Sequence, residues 1–282
     1  MNGDYPDAVR VSFESRAVCY IECYRRQPGE EDLGPARASG FFWAQEDQLY
    51  LVTNWHNVTG LNPSDLRENG RFAPTHLRVW FNENQEVGQA GSRLVKFVPR
   101  EVALYDVAGH PTWIEHPEGR KVDVVAIPVE KSAWRGRIHP VNEKNSISYK
   151  PMAGEDCFIV GYPEGLLGPI GTPIWKRASI ATEPELDYAD QPVFLADSLT
   201  RRGLSGAPVF VRVNGLWGQE GEQLIIGGEN SPVLGFWTNF LGIYAGREGD
   251  EKTGFQLARV WKKSALEELL TNGVRGQNPH EG

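Results

Sequence analysis

The chain has 282 residues, of which 40% are hydrophobic and 23% are charged, and these fractions are typical of a folded globular protein. Its formal net charge of -8 disfavours nucleic acid or an anionic membrane surface as a partner, because both of these bind basic faces. We therefore expect a protein with a sizeable core, no nucleic-acid partner and no membrane partner.

The three cysteines, Cys19, Cys23 and Cys157, do not form a recognisable disulfide framework. Cys19 and Cys23 lie in one predicted strand, where their α-carbons would be about 13 Å apart, which is too far for a bridge. No basic segment followed by an apolar one opens the chain, and no apolar run reaches about 18 residues. These features predict a cytoplasmic location, where thiols stay reduced.

Short runs of β-type residues, separated by clusters of Gly, Pro, Asn and Asp, occupy most of the chain. Six runs in the first half suit one small barrel, at residues 17–24, 40–44, 49–54, 77–81, 94–98 and 122–129. A polar stretch at residues 131–156 is the candidate linker. Seven further runs follow it, at residues 157–162, 174–180, 193–196, 207–213, 223–228, 233–246 and 254–260.

One amphipathic helix is predicted near the end of the chain. Gly273 is expected to end it, and the residues from Gln277 onward are expected to be frayed. Five residues are predicted to share its apolar face: Trp261, Ala265, Leu266, Leu269 and Leu270.

Three motifs carry the groups that serine catalysis requires, which are a nucleophile, a base that activates it and a third group that orients the base. His56 follows the apolar run in LVTNWHNV, Asp123 opens the run in KVDVVAIPV, and Ser205 lies between glycines in GLSGAPVF. Each motif alone has an ordinary explanation, namely a buried histidine, a strand start and a glycine-rich turn. Asp106, in LYDVAG, is a rival for the acidic position.

Taken together, the order His, Asp, Ser and the motifs SGFFWAQEDQLYLVTNWHNV, VDVVAIPV and GLSGAPVF resemble trypsin-like serine peptidases of the chymotrypsin fold. The resemblance implies an all-β fold with two six-stranded antiparallel β-barrels and a C-terminal α-helix. It places the histidine and the aspartate on an N-terminal barrel, residues 1–135. The serine and the helix would belong to a C-terminal barrel, residues 136–282.

The resemblance also implies a role for each residue that matches the motifs. Ser205 would attack the peptide carbonyl, His56 would take and return the proton, and Asp123 would hold the imidazole. The backbone N–H groups of Gly203 and Ser205 would form the oxyanion hole. Substrate contacts would come from Leu199, Tyr244, Ala245, Gly246 and Arg247.

Two departures from the secreted members of this family are informative. Asn57 stands where those members have a cysteine, and Leu204 stands where members activated by N-terminal cleavage have an aspartate. Both features resemble bacterial HtrA-like peptidase domains, here expected as a stand-alone unit without a PDZ domain.

Asp197 would bind a basic substrate side chain only if two residues were looped out between it and Ser205, and a structural role is the favoured interpretation. Arg201, Arg202 or Arg247 would select an acidic side chain only by pointing inward, whereas a solvated surface position is favoured for them. The cleavage preference therefore stays open.

These features predict a serine endopeptidase that hydrolyses protein or peptide substrates through an acyl-enzyme. One alternative is a catalytically silent peptidase-like module that binds peptides in its cleft. Another is a protease that stays idle until a regulatory protein partner orders the turn at residues 203–205. An α/β-hydrolase is excluded, because its nucleophile turn has glycine where Ala207 stands.

A metal site is the weakest candidate in the sequence. The segment HPTWIEH carries His110, Glu115 and His116, but their spacing is not that of a metal-binding motif. We predict neither a metal nor a cofactor.

Overall fold

The computed structural model describes residues 11–27, 29, 31–69, 72–87, 92–130, 134, 138–143, 149–217, 233–249 and 256–280. Antiparallel strands account for most of the regular structure in these ranges. The strand predicted at residues 223–228 lies outside them.

The first β layer contains eight strands, whereas the sequence predicts six. They are β1 (Val18–Arg25), β2 (Leu33–Gln45), β3 (Gln48–Thr53), β4 (His76–Val87), β5 (Ser92–Ala103), β6 (Ile114–Glu115), β7 (Val125–Val129) and, from the end of the chain, β14 (Val274–Arg275). Their order in the sheet is β14-β6-β7-β3-β2-β1-β4-β5. The two additional strands, β6 and β14, are two residues long, too short for any periodicity to show in the sequence.

The second layer is a closed barrel of six strands in the order β10-β13-β12-β11-β8-β9. The strands are β8 (Asp156–Gly161), β9 (Ile174–Ile180), β10 (Val193–Asp197), β11 (Pro208–Trp217), β12 (Val233–Glu248) and β13 (Leu257–Lys262). The predicted all-β, chymotrypsin-like fold with a helix near the end is confirmed. This layer is a six-stranded barrel as predicted, whereas the first layer is an eight-stranded sheet where a second six-stranded barrel was expected.

The described ranges also contain three α-helices, α1 (Phe13–Ala17), α2 (Trp55–Thr59) and α3 (Lys263–Asn272). Three-residue 3-10 turns occur at Gly119–Lys121, Pro163–Gly165 and Pro169–Gly171. The face of α3 that packs inward carries Ala265, Leu266, Leu269 and Leu270, as predicted. Trp261 belongs to β13 instead of the helix, because the strand continues through Lys262.

Gly273 ends α3, as predicted, and its φ of -60° is an ordinary value for any residue. A glycine is needed there for another reason. A β-carbon would collide with the Leu269 carbonyl oxygen and would lie 3.0 Å from the carbonyl oxygen of Glu115.

Aromatic side chains fill the space between the two layers. Phe41 and Trp43 of β2 contact Phe240 of β12, with ring centroids 5.3 and 5.4 Å apart. Separate apolar clusters lie within the first sheet and within the barrel. The two layers therefore share a packed interface, which can hold groups from both in fixed positions.

The described parts of the candidate linker pack against the first sheet. Trp134 is buried, with its ring 5.0 Å from that of Phe42, and the Val141 N–H donates to the Phe42 carbonyl at 2.7 Å. The end of the chain also returns to this sheet through β14. The division at residue 135 stays a prediction, and the last strand lies on the opposite side of that division from its sheet.

Candidate active site

His56 lies at the start of a single helical turn that follows a buried strand. The apolar strand β3 runs into Asn54, and α2 begins at the next residue. Gly60, with a φ of +74°, ends α2 and donates its N–H to the His56 carbonyl at 2.9 Å. This short turn fixes the backbone of His56 at the edge of the first sheet.

Asp123 makes two hydrogen bonds with His56. Its Oδ2 lies 2.7 Å from His56 Nδ1, and its Oδ1 accepts the backbone N–H of His56 at 3.0 Å. Asn54 Nδ2 donates to the Asp123 carbonyl at 2.6 Å. An ionised carboxylate can only accept a hydrogen bond, so Nδ1 is the donor in a contact with ionised Asp123, and in a neutral imidazole Nε2 would then carry the lone pair.

Asp106, the rival acid, serves a different purpose. It accepts the backbone N–H groups of Ala108 and His110 within its own turn and pairs with Arg275 at 2.7 Å. The bond from the His110 backbone, followed by that from Arg275, lowers the pKa of Asp106 to about 2. Asp106 therefore holds a turn and the end of the chain, whereas Asp123 contacts His56.

Ser205 lies on a turn that two glycines make possible. Gly203 and Gly206 have φ values of +89° and +85°, in the region that favours glycine. A β-carbon on Gly203 would lie 2.5 Å from the Tyr162 carbonyl oxygen, and one on Gly206 would collide with Ser39. Both glycines are therefore required by conformation and by close approach.

Two carbonyl groups of this turn accept hydrogen bonds from backbone N–H groups of the protein. The Arg202 carbonyl accepts the Glu164 N–H at 2.7 Å, and the Leu204 carbonyl accepts the Ala207 N–H at 2.8 Å. In a trans peptide the N–H points away from the C=O. The N–H groups that follow, those of Gly203 and Ser205, therefore point away from these partners.

Residues of the first sheet hold the serine turn beside α2. The Ser39 N–H and Asn57 Nδ2 both donate to the Ser205 carbonyl, at 2.8 and 3.2 Å. Ser39 Oγ also donates to the Gly203 carbonyl at 2.8 Å. Asn57 directly follows His56, so these bonds join the two parts of the site across the layer interface.

Glu115 binds the first residue of α2 through a side-chain hydrogen bond, a structural role that the sequence analysis does not predict. Its Oε1 accepts the indole N–H groups of Trp55 and Trp113 at 3.1 and 2.8 Å, and the backbone N–H of Gln277 at 3.3 Å. Trp55 precedes His56. The bond from Gln277 also holds the residues near the end of the chain in place.

The prediction that the residues from Gln277 onward are frayed is wrong as far as His280. The Nε2 atom of His280 lies 2.8 Å from the Thr59 carbonyl oxygen.

The predicted substrate-contact residues differ in their surroundings. Leu199 and Arg247 are exposed, but the Tyr244 side chain points into the barrel core and donates to Thr200 Oγ1 at 2.7 Å. The backbone of Tyr244 pairs with Gly206 and Ala207. Beyond it, the β12 register shifts before Arg247, which leaves Ala245 and Gly246 in a bulge.

The residues of HPTWIEH have partners of other kinds. His110 lies 3.5 Å from Asp106, and the buried His116 lies 3.2 Å from Glu268 on α3. Within the described ranges, no group of three or more His, Cys, Asp or Glu side chains is placed to hold a metal ion. No helix in the same ranges is both long and apolar enough to span a membrane.

Comparisons with known proteins identify a family to which this chain is similar. A family model described as a trypsin-like peptidase domain matches residues 38–217. Similar solved structures include the inactive form of the Rv3671c protease, with 14% identity, a TM-score of 0.44 and coverage of 92% of this chain and 89% of that chain. The active form of that protease, from M. tuberculosis, has 14% identity, a TM-score of 0.47 and coverage of 94% and 83%. The comparison with curated proteins found no match.

The matched segment spans more than half of the chain and contains His56, Asp123 and Ser205. The chain therefore belongs to the trypsin-like peptidase family and has its chymotrypsin-like fold.

Proposed function

We propose that this chain is an active serine endopeptidase in which Ser205, His56 and Asp123 form the catalytic triad. Its family supports the coarser assignment to serine peptidases. The observation that carries the finer proposal is the double contact of Asp123 with His56, at 2.7 and 3.0 Å, beside the turn that presents Ser205.

The contact with Asp123 supports His56 as the general base. A carboxylate on Nδ1 fixes the tautomer in which Nε2 can accept a proton. In the proposed reaction Ser205 Oγ attacks the substrate carbonyl carbon while its proton moves to Nε2. The same proton then passes to the leaving amine as the peptide bond breaks, and water hydrolyses the acyl-enzyme by the reverse sequence.

The orientation of the serine turn supports an oxyanion site. The carbonyls of Arg202 and Leu204 are bound by the fold, so the N–H groups of Gly203 and Ser205 are available to a negatively charged oxygen. In this family of mechanisms, each such donor contributes about 10²-fold or more to the rate.

Strand β12 is the proposed binding edge for the substrate backbone. The backbone N–H and C=O of Tyr244 are already bonded to Ala207 and Gly206. The backbone groups that bind the substrate would therefore come from Ala245 and Gly246 in the bulge. The side chains of Leu199 and Arg247 are exposed, and they are the ones we propose to contact the substrate. An extended peptide paired there would present its carbonyl to Ser205.

Cleavage of an unfolded protein substrate tests the proposal. Native protein and Ser205→Ala are incubated with reduced, alkylated casein, and the products are identified by mass spectrometry. We expect new internal cleavages with the native chain and none with Ser205→Ala. Casein that binds both proteins but is cleaved by neither would instead identify a peptide-binding module.

A further inference from the structure

An exposed apolar loop lies between β8 and β9. We call residues 163–171, with the sequence PEGLLGPIG, the apolar loop. Leu166 is 59% exposed, Leu167 49% and Ile170 43%. Single exposed apolar residues are common on proteins, but three within five positions of one loop form a local patch of the kind that marks interaction sites.

The exposure of this patch is not the result of a loose backbone. The loop contains two short 3-10 turns, Pro163–Gly165 and Pro169–Gly171, each closed by its own backbone hydrogen bonds. The buried Tyr162 hydroxyl donates to the Gly171 carbonyl at 3.0 Å and fixes the far end. The three side chains are therefore held outward by an ordered backbone.

The backbone conformation at position 170 is unfavourable for the isoleucine found there. Ile170 has a φ of +54°, a conformation that is costly for a β-branched residue and that glycine or asparagine would adopt more easily. Ile170 is 43% exposed, so burial of its side chain offsets only part of this cost. Strain of this kind is characteristic of functional segments.

The apolar loop is bonded directly to the serine turn. Glu164, with a φ of +52°, donates its N–H to the Arg202 carbonyl at 2.7 Å, immediately before Gly203. Arg37 donates to the Glu164 carbonyl at 3.1 Å and ties this corner to the first sheet. Leu166 is two residues from Glu164, a span of at most about 7 Å.

We propose that the apolar loop is a substrate-recognition surface, which binds an apolar side chain within about three residues of the scissile bond. The inference deepens the proposed peptidase function. We take the substrate polypeptide as the occupant because the apolar loop is hydrogen-bonded to the turn that carries Ser205, through the Glu164 N–H and the Arg202 carbonyl. A chain bound at Ser205 would then extend towards this loop. The recognition is apolar, so the preferred segment is one that folded substrates bury and unfolded ones expose.

Matched peptides and matched variants test this surface. A set of internally quenched peptides shares one scissile sequence and carries Leu or Ser at each of the three positions on either side. The native chain is compared with the double variant Leu166→Ser/Leu167→Ser and with Leu186→Ser, which changes another exposed leucine, 68% accessible, outside the loop. Binding of the same peptides is also measured by fluorescence anisotropy in the Ser205→Ala background, where no turnover is required.

We expect the native chain to favour Leu over Ser at one of these positions by about tenfold in kcat/KM and in Kd. The double variant should lose this preference while keeping its rate of fluorophosphonate labelling, and Leu186→Ser should keep both. A Leu preference that survives in the double variant, or that is absent from the native chain, would overturn the proposal. So would a loss of self-association in the double variant without any change in peptide binding, since the patch would then join two copies of the chain.

The binding arm separates the two proposals. A Leu preference in binding that depends on the apolar loop, with no cleavage by the native chain, would contradict the peptidase function and support the recognition surface. Cleavage by the native chain at equal rates for the Leu and Ser peptides would support the peptidase function and contradict the recognition surface.

Discussion

Ser39 on the first sheet and Ser205 on the barrel are joined directly, because the Ser39 N–H donates to the Ser205 carbonyl at 2.8 Å. The Ser39 hydroxyl makes two further bonds, donating to the Gly203 carbonyl and accepting the Tyr162 N–H at 3.0 Å. One buried serine thus fixes the turn that presents the proposed nucleophile.

Ser39→Ala should impair the site more than its size suggests. The change leaves the Gly203 carbonyl and the Tyr162 N–H without this partner, and each buried unpaired group costs about 1–3 kcal/mol. We expect slower fluorophosphonate labelling and a lower free energy of unfolding. The control is Ser179→Ala on β9, the same change at a half-buried position. Equal labelling rates in the two variants would show that Ser39 does not order the turn.

The two candidate acids can be separated by one pair of variants. Asp123→Asn should lower the labelling rate by about a thousandfold or more, because an amide that donates to Nδ1 favours the wrong imidazole tautomer. Asp106→Asn is the matched control and should keep the native rate, since Asp106 binds Arg275. The opposite ranking would assign the acid to Asp106.

Asp106 should instead affect stability in acid. Its pKa of about 2 in the folded protein is below that of an unfolded aspartate. Its stabilising contribution is therefore complete above about pH 4 and is lost as the pH falls towards 2. Urea unfolding between pH 5 and pH 2 should show a weaker pH dependence in Asp106→Asn than in the native chain; identical slopes would contradict this assignment.

Glu115 is expected to act as a positioning residue for His56. In Glu115→Ala the indole N–H groups of Trp55 and Trp113 lose their acceptor, so both stability and labelling should fall. Glu115→Gln keeps an acceptor oxygen and should restore most of the labelling. Failure of Gln to restore labelling in a folded protein would show that the bonds to this oxygen are not what positions α2.

Tyr244 should make the protein sensitive to alkali. Burial raises the pKa of its hydroxyl above that of an unfolded tyrosine. The hydrogen bond with Thr200 and the charge of Arg247 lower this pKa, but the effect of burial is larger. The stabilisation is complete below about pH 10 and is lost as the pH rises further, by at most about 1.4 kcal/mol per pH unit. Tyr244→Phe should unfold with a shallower pH dependence between pH 9 and 11. An unchanged slope would mean that the hydroxyl ionises equally well in the folded protein.

The sequence predicted the groups that local motifs mark. His56 and Ser205 stand in short segments with distinctive neighbours, and β9 occurs at the predicted residues because its β-type run has clear ends. Asp123 was preferred over Asp106 on pattern alone, and the contact with His56 favours the same choice.

The parts that the sequence did not predict depend on contacts between distant residues. Ser39 and Ser205 are 166 positions apart in the numbering, and a serine before an apolar strand carries no signal of such a bond. From the sequence, Glu115 is a candidate only as a metal ligand, although the tryptophan two residues before it indicates an apolar setting for its carboxylate. The strand β14 pairs with β6 only because α3 returns the chain to the first sheet, which no local period records.

The central claim is that His56, Asp123 and Ser205 act as one catalytic unit, and intact mass after reaction with a fluorophosphonate tests it most directly. The native chain, Ser205→Ala and His56→Ala are compared under identical conditions. We predict a single adduct on the native chain that maps to Ser205 and is absent from both variants. No adduct on the native chain, or one that persists in Ser205→Ala, would contradict the account.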